Sequence, residues 1–130
     1  MSAYGAHFTG GVQISPPLTW SEVKNGKRQG LQDLRMILDE RTEDTATGQT
    51  RIILATALAP LDLRCYGGYS IAEELQSCID AYPSHEFEGC IVATPEDPGG
   101  EQWRWLVRDR KVVRQVPLAG WRDAETEAGL

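Results

Sequence analysis

Phe8-Thr9-Gly10-Gly11-Val12-Gln13-Ile14-Ser15-Pro16 recurs late in the chain as Phe87-Glu88-Gly89-Cys90-Ile91-Val92-Ala93-Thr94-Pro95. The shared pattern is F-x-G-x-[VI]-x-[IA]-x-P. Phe8, Val12 and Ile14 fall on one face by the two-residue period of a strand. A glycine inside such a strand marks a place where backbone or a large side chain approaches closely. Two copies are too few for a solenoid, so the echo predicts two similar strands in one sheet. A histidine precedes each copy, His7 and His85. If the strands run antiparallel, these lie at opposite ends, more than about 20 Å apart at 3.3 Å per residue, and cannot share a metal.

Working outward, Leu18-Thr19-Trp20-Ser21-Glu22-Val23 predicts a short helix. Thr19 is its N-cap, Glu22 closes a capping box, and Leu18 and Val23 form the staple. Asn25-Gly26 stops it. Leu31 to Asp39 and Thr50 to Leu58 predict a hairpin around the polar turn Glu43–Gly48. Ser70 and Glu73 cap a second helix whose apolar face is Ile71, Leu75, Cys78, Ile79 and Tyr82, ended by Pro83. Strands follow at Phe87–Ala93, Gln102–Arg108 and Val112–Val116, with Asp109-Arg110 as the last turn. The order gives an α+β fold, a ferredoxin-like split βαβ sandwich (βαββαβ) with an added C-terminal β-hairpin. That fold leaves one sheet face open. Residues 1–122 read as a single domain and 123–130 as a polar tail.

The chain has 130 residues, a formal net charge of −6 and 41% hydrophobic residues, enough for one core. No stretch reaches the roughly 20 apolar residues of a membrane span, and no secretory pattern opens the sequence, so a cytoplasmic location is expected. The acidic balance argues against broad nucleic-acid binding. Three cysteines, Cys65, Cys78 and Cys90, form no C-x-x-C pair, and Cys78 and Cys90 read as buried thiols. The charge is segregated. Asp39 to Asp44 is acidic, while Arg104, Arg108, Arg110, Lys111 and Arg114 make the late strands basic and form a candidate partner-binding patch.

No nucleophile elbow, phosphate loop or metal-ligand motif occurs. No catalytic residue, cofactor or metal site is therefore predicted. Glu73 and Glu74 read as helix-start charges. The candidate ligand site is Arg64, Tyr66, Gly67, Gly68, Tyr69 and Ser70. Its glycines admit a ligand to the free amides of a helix start, Arg64 supplies a directed charge, and the tyrosines offer flat faces. The plainer reading is a turn whose own cap fills those amides. In Trp103-Arg104-Trp105-Leu106-Val107-Arg108, the tryptophans share one face and the arginines the other, which suits packing of the aromatic side.

Gly11-Val12-Gln13-Ile14-Ser15-Pro16-Pro17-Leu18-Thr19-Trp20-Ser21-Glu22-Val23 resembles the opening of small uncharacterised proteins of actinobacteria and their phages. Phe87-Glu88-Gly89, Trp103-Arg104 and Val107-Arg108-Asp109 resemble their second half. The resemblance implies a family without an established activity, brings no catalytic residues, and associates the chain with an accessory or anti-defence role. This chain has Arg110 where that pattern leads one to expect glycine.

The sequence thus points to a small non-enzymatic binding protein with a protein partner. Two other readings stand beside it: sequestration of a nucleotide or other small anion at the Arg64–Ser70 loop, and a small enzyme. The acidic hairpin and basic late strands also suggest a homodimer paired edge to edge.

Overall fold

A computed structural model describes residues 5–26, 31–61, 64–65, 71–96, 99–117 and 121–123. The elements are β1 (Ala6–Thr19), α1 (Trp20–Asn25), β2 (Leu34–Thr45), β3 (Gly48–Pro60), β4 (Arg64–Cys65), α2 (Ile71–Ala81), β5 (Glu86–Pro95), β6 (Trp103–Arg108), β7 (Lys111–Pro117) and β8 (Trp121–Asp123). One eight-stranded sheet runs β2-β3-β1-β5-β6-β7-β8, with β4 also on β1. Every pairing is antiparallel.

The two echoed strands are neighbours. Phe8 pairs with Ala93, Gly10 with Ile91, Val12 with Gly89 and Ile14 with Phe87. Phe8–Ala93 and Ile14–Phe87 are therefore equivalent pairs, as are Gly10–Ile91 and Val12–Gly89, giving a local two-fold about the pair Gly11 and Cys90. Both third-position glycines take positive φ, 93° at Gly10 and 135° at Gly89. A Cβ on Gly89 would lie 2.4 Å from the Gly11 carbonyl oxygen, and one on Gly10 2.6 Å from that of Cys90. The pattern keeps glycine because the backbones meet there. The antiparallel register sends His7 and His85 to opposite ends.

Phe8, Val12, Ile14, Leu58, Ile91 and Ala93 bury one face of the sheet against Ile71, Leu75, Cys78 and Ile79 of α2 and Val23 of α1. Phe8 stacks on Trp105 with ring centroids 6.1 Å apart. The capping box of α1 is present: the Glu22 amide donates to Thr19 Oγ1, and Glu22 Oε1 accepts from the Thr19 amide.

The expected ferredoxin-like sandwich is overturned. Strands make up 64% of the described residues and helices 17%. Asn25-Gly26 stops α1 after 6 residues, under two turns, too short to form a layer over the sheet. The hairpin strands outgrow the core, because the polar stretch read as a turn continues as strand up to a two-residue turn at Ala46-Thr47. Pro16-Pro17 does not end β1. They sit where its register with β3 shifts, between Gln13 and Leu18, and the strand resumes to Thr19. Asp123, assigned to the tail, closes β8 opposite Gln115.

Candidate functional site

The hairpin of β2 and β3 projects from the sheet. Pairing with β1 reaches only as far as Leu54, opposite Thr19. Beyond it Glu40–Thr45 and Gly48–Ile53 pair with each other alone. Six pairs at about 3.3 Å give an arm roughly 20 Å long. Residues 38–51 are exposed, and Ile52, Ile53 and Leu54 only half-buried. Arg51 Nε reaches Glu40 Oε1 at 2.5 Å and Arg41 Nη2 lies 3.7 Å from Glu43. Asp44 accepts from Gln49 at 3.3 Å and Thr45 Oγ1 donates to the Gly48 carbonyl at 2.8 Å. Exposed pairs of this kind contribute little each, and a two-stranded ribbon is marginal on its own.

The basic residues of the late strands are dispersed rather than gathered. Arg104 and Arg108 lie on the outer sheet face, opposite Trp103, Trp105 and Val107. Arg104 Nε donates to Gln115 at 2.7 Å, and its guanidinium sits 4.4 Å from the centre of the Trp121 ring. Arg108 Nη2 pairs with Asp123 Oδ2 at 2.6 Å. Gln115 also donates to Asp123, and these two contacts, Gln115 first, hold the Asp123 carboxyl below its ordinary value. Arg114 lies on the core side, 5.8 Å from the Trp103 ring centre. Lys111 is exposed.

Arg110 is turned onto the C-terminal end of α2. The β6–β7 turn has φ of 51° at Asp109 and 63° at Arg110, the two left-handed residues of a primed hairpin turn. From there Arg110 donates to the carbonyls of Ile79 at 2.5 Å, Tyr82 at 3.2 Å and His85 at 2.6 Å. It thus fills the open acceptors at the end of α2 and complements the helix dipole. Gln76 joins the turn to the helix, donating to the Arg110 carbonyl and accepting from the Val112 amide.

Two further polar residues hold buried positions. His85 is 6% exposed. Its Nδ1 lies 2.6 Å from the Pro16 carbonyl oxygen and its Nε2 2.8 Å from Glu22 Oε2. Both ring nitrogens thus lie against acceptor oxygens within the fold. Glu74, 9% exposed, accepts from the backbone amides of Gln32, Asp33 and Leu34 at 2.9–3.1 Å. It was missed as a mere helix-start charge. The signal was its place in the apolar stripe, beside Leu75 and three residues after Ile71.

Two open grooves lie along the helices. One, about 560 Å³, is lined by Glu73, Gln76, Ser77, Asp80 and Ala81. The other, about 530 Å³, is lined by Glu22, Asn25, Gly26, Ala81 and Tyr82. No group of three metal-ligating side chains converges among the described residues, and none of their helices is long and apolar enough to cross a membrane.

The candidate ligand loop falls mostly outside the described residues. Arg64 pairs through its backbone with His7 in β4. Its side chain, and Tyr66, Gly67, Gly68, Tyr69 and Ser70, lie outside them. Cys78 is buried as expected, whereas Cys90 is only half-buried, on the outer face of β5.

These features define an α+β protein built on one antiparallel sheet with a projecting arm. The chain belongs to a family of unknown function, DUF6205, whose profile matches residues 1–129. No curated protein and no solved structure matches it.

Proposed function

We propose that this is a non-enzymatic binding protein that engages a protein partner through the β2–β3 arm. The arm carries the proposal. Its two strands leave the sheet together, residues 38–51 are exposed on both faces, and no strand among the described residues pairs with the outer edge of β2. The binding of a partner supplies the packing that such a ribbon lacks.

The test is site-specific photo-crosslinking in the native cell. A photoreactive residue at Thr47, at the arm tip, should give one defined adduct. The same group at Lys24, on α1, serves as the control. Adducts from Lys24 alone, or from neither position, refute the proposal.

A further inference from the structure

The outer edge of β2 has a chemical preference. It ends the sheet, and no strand among the described residues pairs with its outer side. Along Asp39-Glu40-Arg41-Thr42-Glu43-Asp44 four carboxylates stand against one arginine. They fall on both faces: Glu40 and Asp44 on one, Asp39 and Glu43 on the other. A strand added here meets unpaired main-chain donors and acceptors together with negative charge above and below.

A second β2 is a poor occupant. Paired side chains must share a face, so the central antiparallel registers are those centred on Arg41 and on Thr42. The first sets Asp39 against Glu43 and the second Glu40 against Asp44. Like charges directly opposite destabilise a strand pair. We infer that the β2 edge accepts an extended, lysine- or arginine-rich segment of a partner protein by strand addition. Main-chain bonds supply the affinity and the carboxylates choose the sign of the partner. This inference rests on the proposal that the arm is the binding surface and names its occupant.

The test uses a fluorescent ten-residue peptide of alternating lysine and valine, followed by anisotropy against the full chain. Binding is expected, with no binding of the glutamate–valine counterpart. Raising salt from about 50 to about 500 mM should weaken binding at least roughly tenfold. A peptide methylated on alternate backbone nitrogens, which cannot complete the ladder, should lose at least about tenfold. The double variant Asp39→Lys/Asp44→Lys should abolish binding, while circular dichroism shows that it stays folded. Equal binding of the methylated peptide would reduce the effect to unspecific charge and overturn strand addition. So would salt-sensitive self-association that the peptide does not compete away, since the occupant is then a second copy. An arm crosslink in cells with no peptide binding would overturn this inference alone and leave the arm as the binding surface.

Discussion

Arg110 binds the carbonyl of Ile79 from across the molecule, a hairpin turn closing the end of a helix. The residue that the sequence pattern marks as out of place in its turn is the one that fastens the late strands to α2. Arg110→Ala removes three charge-assisted bonds and keeps a non-glycine residue at positive φ. It should cost about 2–3 kcal/mol in urea unfolding. Arg110→Gly loses the same bonds but relieves the backbone, so it should cost about 1 kcal/mol less than the alanine variant. Equal losses would mean that the turn carries no strain.

Glu74 supplies the amides of residues 32–34 with their acceptor. Glu74→Ala removes the carboxylate acceptor of these part-buried and buried N–H groups and should destabilise by about 2–4 kcal/mol. Amide exchange at Gln32, Asp33 and Leu34 should accelerate more than at Ile91, which is held by the sheet. Uniform acceleration across the chain would show that Glu74 acts on global stability alone.

The Thr19 amide, followed by His85, holds the Glu22 carboxyl below its ordinary value of 4.5. A carboxylate whose folded value is depressed contributes stability above its unfolded value and loses it as pH falls through the folded one. The stability difference between the native chain and Glu22→Gln should therefore be full at pH 6 and shrink steadily below about pH 4.5. Urea midpoints at a series of pH values measure it. A difference that stays constant down to pH 3 would contradict the assignment.

Two glycines separate close approach from turn freedom. Gly89 and Gly48 both have positive φ, 135° and 129°. A Cβ on Gly89 meets a backbone oxygen at 2.4 Å, whereas one on Gly48 meets nothing within 4 Å. Gly48→Ala should cost about 1 kcal/mol from conformation alone. Gly89→Ala should cost at least about 2 kcal/mol more, because β1 and β5 must part to admit the methyl group. Thermal melts of the two variants decide it.

What the sequence disclosed was local. The Thr19–Glu22 box, the apolar stripe of α2 and the alternation of β6 are each written within a few residues, and each appears at its place. The echo also foretold that β1 and β5 lie in one sheet. The fold class failed because it depends on how far elements extend. Glu40 to Thr45 has the polarity of a turn, and only the cross-strand partners from Thr50 to Ile53 make it strand. The candidate patch failed to gather for a related reason. Arginines spaced along a hairpin look alike in sequence, yet Arg104 lies under Trp121, Arg108 on Asp123, Arg114 beside Trp103, and Arg110 on a helix end. Partners this distant leave no mark at the residue itself.

The place of β1 has a consequence for synthesis on the ribosome. It lies between β3 and β5, and Ala6 pairs with Pro95. When Pro60 has emerged, β1 can join β2 and β3, but its other edge stays bare until β5 follows 35 residues later. At about 5–20 residues per second that interval lasts roughly 2–7 s. Throughout it Phe8 lacks Trp105, and for its first 21 residues, up to Ala81, it lacks the complete α2 as well. The nascent chain thus carries an open apolar edge for seconds, and protection from chaperones or from slow neighbours matters most in that window.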